Sequence, residues 1–153
     1  MNSTLVTCFF STGLIAGAAG GVVVFDPPTL MFDTSTGPTV QTVEVSVWST
    51  SNLPMFGFDI ALQSDEVPIT GWDYIGPREP IFCDPFACHY QFLPSLLVLD
   101  SVYLVGVSLP LTFARMSLDA ARIANGDYQV LVDTNRTELY FISLGSEPLS
   151  GAL

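Results

Sequence analysis

Phe56-Gly57-Phe58-Asp59-Ile60-Ala61-Leu62-Gln63 is the stretch on which the fold turns. Phe56, Phe58, Ile60 and Leu62 fall on one side of an extended chain, and Gly57, Asp59, Ala61 and Gln63 on the other. That two-residue period belongs to a strand with one buried face. It returns at Asp127-Tyr128-Gln129-Val130-Leu131-Val132-Asp133 and at Val43-Glu44-Val45-Ser46-Val47. In the last of these Val43, Val45 and Val47 face a core, whereas Glu44, Ser46 and Trp48 face away.

Working outward, further strands are expected over Gly21 to Phe25, Val40 to Ser49, Val67 to Ile75 and Ser101 to Leu109. Residues 33–39, a Thr/Ser/Gly/Pro cluster, form a turn. Leu111 to Ala124 fits a helix by propensity and a strand by its neighbours; a strand to about Leu118, then a bend, is expected. Asp127 to Asp133 and Thr137 to Leu144 are expected to pair as a hairpin across Thr134-Asn135-Arg136. Pro77, Pro80, Pro85 and Pro94 argue against regular structure across most of 76–95. The sum is an all-β chain: an antiparallel two-sheet sandwich of jelly-roll topology with about eight to nine strands. The chain has 153 residues, enough for one such domain with a core.

Charge narrows the partners. There is no lysine, and four arginines face fifteen acids, for a net charge of -11. Nucleic acid is excluded as a partner on these grounds, since phosphate binding needs clustered cations. An anionic membrane surface is disfavoured likewise. The acids are dispersed, as on a solvated surface. Calcium is the one cofactor they could suit, yet no Asp-x-Asp-x-Asp-Gly loop is present.

No charged residue precedes Asp26, and Leu5 to Ala19 is apolar with small residues at its end. Ala16-Gly17-Ala18 fits a signal-peptidase site, so residues 1–19 are expected to be an export leader and 20–153 a secreted or cell-surface domain. A membrane anchor and a first buried strand are the competing readings of the same residues. At the other end, Glu147 to Leu153 reads as a turn leading into a strand that is not completed.

In such a setting Cys83 and Cys88 are expected to form a disulfide across a Pro-containing loop. A metal site with Asp84 and His89 is the alternative, but His89 is the only histidine and zinc wants four ligands. Catalysis has little support. Asp59, Asp65, Asp73 and Asp84 could supply paired carboxylates, but their spacing selects no pair. Trp48, Trp72 and Tyr74 are the candidate ligand-binding residues, because exposed aromatics stack on sugars and anchor interfaces. Asn135-Arg136-Thr137 is a glycosylation sequon.

Gly57-Phe58-Asp59-Ile60-Ala61-Leu62-Gln63-Ser64-Asp65 resembles a strand of cohesin-like domains, and Asn125-Gly126-Asp127-Tyr128-Gln129-Val130-Leu131-Val132-Asp133 resembles a late strand of the same family. The resemblance runs from Val22 to Leu153. It implies a nine-stranded jelly-roll sandwich shared with certain carbohydrate-binding modules. It also implies a non-enzymatic adhesion or scaffolding role with a protein or polysaccharide partner. The chain departs from the pattern at Asp65-Glu66-Val67-Pro68, and residues 77–94 look like an insertion. The closing strand is absent, which leaves room for self-association by strand complementation.

Overall fold

A computed structural model describes residues 5–15, 21–76, 81–82 and 91–141. Every regular element among them is a strand: β1 (Leu5–Ser11), β2 (Gly13–Ile15), β3 (Gly21–Asp26), β4 (Thr29–Asp33), β5 (Val40–Ser49), β6 (Met55–Ser64), β7 (Ile69–Tyr74), β8 (Ile81–Phe82), β9 (Gln91–Leu93), β10 (Leu96–Val107), β11 (Leu111–Asp119), β12 (Gly126–Val132) and β13 (Glu138–Phe141). The ambiguous 111–124 segment is thus a strand to Asp119, followed by a turn.

The strands form two packed sheets. One has the order β4-β1-β12-β6-β10-β8, with β13 also on β6 and β9 on β10; the other runs β2-β3-β5-β11-β7. Alternation decides which side chains lie between them. Phe58, Ile60 and Leu62 of β6 meet Val43, Val45 and Val47 of β5 and Phe113, Met116 and Leu118 of β11 in one buried cluster. The Phe58 and Phe113 rings lie 4.6 Å apart between centroids, at a tilt, and tie the sheets together. Each such side chain contributes roughly 1.5–3 kcal/mol when fully buried.

Three expectations need correction. First, Met55 rather than Phe56 enters the core: Met55 is fully buried, and Phe56 only partly. The register slips between Val102 and Val107 on one side and between Tyr140 and Phe141 on the other. Such a bulge moves the residues beyond it to the opposite face. Second, the strand after the proline-rich 76–95 stretch begins at Leu96 rather than Ser101; the described part of that stretch carries only two short strands, β8 and β9. Pro94 sits at the turn between β9 and β10, where its missing N–H costs no ladder bond.

Third, β12 and β13 do not form a hairpin. Both pair with β6, β12 along Leu62 to Ser64 and β13 along Met55 to Asp59, so they are two halves of one interrupted strand. Asp133 causes the interruption: its carboxylate accepts the Asn135 N–H at 3.1 Å, and its carbonyl accepts the Arg136 N–H at 3.1 Å. That local bonding closes a turn in place of ladder pairing. The ladder is repaired by a side chain. Ala61 gives its carbonyl to the Asp133 N–H at 2.8 Å, and its N–H donates to Thr137 Oγ1 at 3.2 Å.

Within the stretch expected to be a leader, residues 5–15 form two strands, β1 and β2. β1 lies between β4 and β12, antiparallel to the first and parallel to the second. Val6, Cys8 and Phe10 point into the core, and the Phe10 ring lies 5.1 Å from Phe25 of the opposite sheet. After Thr12 the chain crosses to the second sheet, where β2 pairs with β3. Gly13 makes the crossing: a Cβ there would sit 2.4 Å from Val132 Cβ. Among the described residues no helix is long and apolar enough to cross a membrane.

Candidate functional site

The three candidate aromatics do not share a surface. Trp48 stands outside the five-stranded sheet, 50% exposed, opposite Val22 in register. Trp72 and Tyr74 do share a face of β7, but it is the inner one. They lie opposite Met116 and Ala114, both fully buried, and pack against the core. The Tyr74 and Tyr103 hydroxyls are 3.1 Å apart and join β7 to β10 across the sandwich. Burial first, and then this hydrogen bond, push the Tyr103 phenol well above its ordinary range. A phenol held neutral in this way is a tether between sheets. The alternation of Trp72 and Tyr74 was legible in the sequence, but the side they face depends on which edge of β11 takes β7.

Cys83, Cys88, Asp84 and His89 lie outside the described residues, as does the segment 147–153. Cys8 is buried with a free thiol, and burial pushes its pKa up to about 11. It is therefore a core residue held well away from the thiolate form. Among the described residues no group of three or more His, Cys, Asp or Glu is placed to hold a metal ion.

Of the acids that might have formed a pair, the described ones, Asp59, Asp65 and Asp73, stand apart from one another. Asp73 stands opposite Arg115, whose guanidinium is bonded to Glu44 at 2.8 Å. Asp65 is exposed beside β12, its N–H donating to the Gln129 carbonyl at 3.1 Å. Asp59 stands mid-strand on the outer side of β6, opposite Glu138. The Tyr140 hydroxyl donates to Asp59 and lies 3.3 Å from Glu138 Oε2. Burial and these two carboxylates hold the Tyr140 phenol far above its usual range. Two acids on neighbouring strands would repel, and the neutral phenol between them supplies the hydrogen that offsets it.

A different surface emerges at the β4–β1–β12 end of the larger sheet. On its outer side Leu5, Phe9 and Leu131 are each at least 40% exposed, and Met31 is 59% exposed. Register makes them neighbours. Met31 faces Thr7 and so lies diagonal to both Leu5 and Phe9, while Phe9 faces Gln129 and lies diagonal to Leu131. Asp33 stands opposite Leu5, Asp127 opposite Thr7, and Asp65 beside Gln129. The result is a zigzag apolar strip framed by carboxylates. Half of it comes from residues read as a leader, which is why the sequence did not suggest it.

No family model matches this chain, and neither a curated protein nor a solved structure does.

Proposed function

We propose that this chain is a non-enzymatic binding module of cohesin-like, jelly-roll type that keeps Leu5–Ile15 as part of its fold, and that it engages a protein partner through the outer side of β4, β1 and β12. The observation that carries this reading is the strip of Leu5, Met31, Phe9 and Leu131. Large apolar side chains gathered on a sheet face and rimmed by charge mark interaction surfaces. The rim of Asp33, Asp127 and Asp65, on a chain of net charge -11, fits a partner segment whose apolar residues are flanked by Lys or Arg. The carbohydrate alternative loses support, because Trp48 stands without Trp72 and Tyr74 on its side of the sheet.

The test is titration of the full chain with two synthetic peptides of alternating pattern, Val-Lys repeats and Val-Glu repeats, at low and high salt. The Val-Lys peptide binds, and binding weakens as salt screens the rim. Met31→Asp and Leu131→Asp abolish it, whereas Val105→Asp, on an exposed position elsewhere, leaves it unchanged. Equal binding of the two peptides, or equal loss in all three variants, rejects the reading. Glycan binding that depends on Trp48 would favour the carbohydrate alternative instead.

A further inference from the structure

We propose that the seat of β1 is a strand-exchange site whose ligand is the Leu5–Ser11 segment of a second copy of this chain. The geometry defines the ligand class. One side of the seat is an antiparallel ladder with β4 from Leu5–Asp33 to Phe9–Thr29; the other is a parallel ladder with β12 from Val6–Gly126 to Ser11–Leu131. Only an extended chain fills both. Inward positions two residues apart take a β-branched, a small and an aromatic side chain, as Val6, Cys8 and Phe10 do. Nothing charged can enter, and the segment carries no charge.

Four observations make β1 the strand that can leave. Its pairing with β12 is the only parallel one among the described strands, and parallel ladders are slightly weaker per residue. Its other neighbour, β4, pairs with no other described strand, so the seat lies one strand from the edge of the sheet. Its link to the next strand is Thr12 alone, followed by the close crossing of Gly13 over Val132, and an element joined by so short a hinge is readily exchanged between copies. Withdrawal unpairs β12 from Gly126 to Leu131, and such an open strand edge is a template for an incoming chain. The replacement from a second copy fits by construction. Because the segment is uncharged, inserting it into a chain of net charge -11 adds no repulsion at the seat.

The exchange needs only the inward face of β1, so it is testable apart from the docking strip. Thr7 and Asp127 are register partners, and Thr7→Cys with Asp127→Cys reports which chain fills the seat. The full-length double variant is unfolded and refolded at low and at high concentration, sized by light scattering, and cross-linked with a short bifunctional maleimide. Mass spectrometry of the digested product then identifies the linked residues. Dilute refolding gives monomers linked 7-to-127 within one chain. Concentrated refolding gives dimers or larger species, with the same link between chains, that persist on dilution. In the parent chain Cys8 stays unreactive in both forms, since each seat is filled. Monomers at every concentration overturn the proposal, as do dimers whose 7-to-127 link stays within one chain. If the double variant does not fold, thiol labelling of Cys8 in the parent chain decides. Labelling by a partial opening, with a weaker denaturant dependence than global unfolding, is required; labelling only on global unfolding overturns the proposal.

Discussion

Thr137 holds the two halves of the interrupted strand together, and replacing it with valine isolates that role. Valine keeps the shape of a side chain that is 3% exposed, so the packing is retained. What disappears is the oxygen that accepts the Ala61 N–H at 3.2 Å and donates to the Asp133 carbonyl at 2.8 Å. The Asp133 carbonyl still receives the Arg136 N–H, so its loss is small. The Ala61 N–H belongs to a fully buried residue with β10 on its other side, and stranding such a donor costs about 1–3 kcal/mol. Thr137→Val is therefore expected to destabilise by ~1–3 kcal/mol in urea unfolding. Thr137→Ser keeps the oxygen, loses a methyl group, and costs about 0.8 kcal/mol. Amide hydrogen exchange gives the second reading, because the Ala61 amide should lose protection in the valine variant more than its neighbours Ile60 and Leu62 do. If valine costs no more than serine and Ala61 exchange is unchanged, the side-chain repair of the ladder is refuted.

Gly13→Ala drives a Cβ to 2.4 Å from that of Val132, so the crossing must shift by roughly an ångström. A loss of at least about 1–3 kcal/mol is expected by denaturation, together with faster labelling of Cys8; Val132→Ala should not rescue it, because the clash is with Val132 Cβ itself. Alkaline pH should destabilise the fold. Cys8 is raised from 9.0 to about 11 and Tyr103 is raised above 10.0, so the unfolded chain releases these protons first and stability falls as pH rises above about 9. In denaturation curves from pH 7 to 11, Cys8→Ala and Tyr103→Phe should each flatten that fall. Trp72→Ala should cost more than Trp48→Ala, since Trp72 packs on the core and Trp48 is half exposed; about 2 kcal/mol against less than about 1 is expected in paired urea titrations.

The sandwich was legible where the two-residue period was unbroken. Val43, Val45 and Val47 face the core as expected, and so do Phe58, Ile60 and Leu62. It failed where local bonding outweighs pattern. Asp133 makes a turn that reads as a hairpin loop in sequence, yet it only interrupts a strand that continues along β6. Met55 displaces Phe56 because a bulge resets the phase, and no composition rule marks a bulge. The candidate site was less legible. Alternation says that Trp72 and Tyr74 share a face; only the pairing of β7 with β11 says that the face is inward. The outer strip depends on strand order, which brings Met31, Phe9 and Leu131 together from distant parts of the chain.

The register of Val6 with Gly126 also sets a schedule for synthesis. β1 cannot be seated until its partner β12, roughly 120 residues later, has been made, a delay of about 6–24 s at ~5–20 residues per second. Throughout that interval an uncharged, largely apolar segment stands open to whatever binds such segments. Any such binder and β12 thus compete for the same residues, and the speed of translation weighs on which of them prevails.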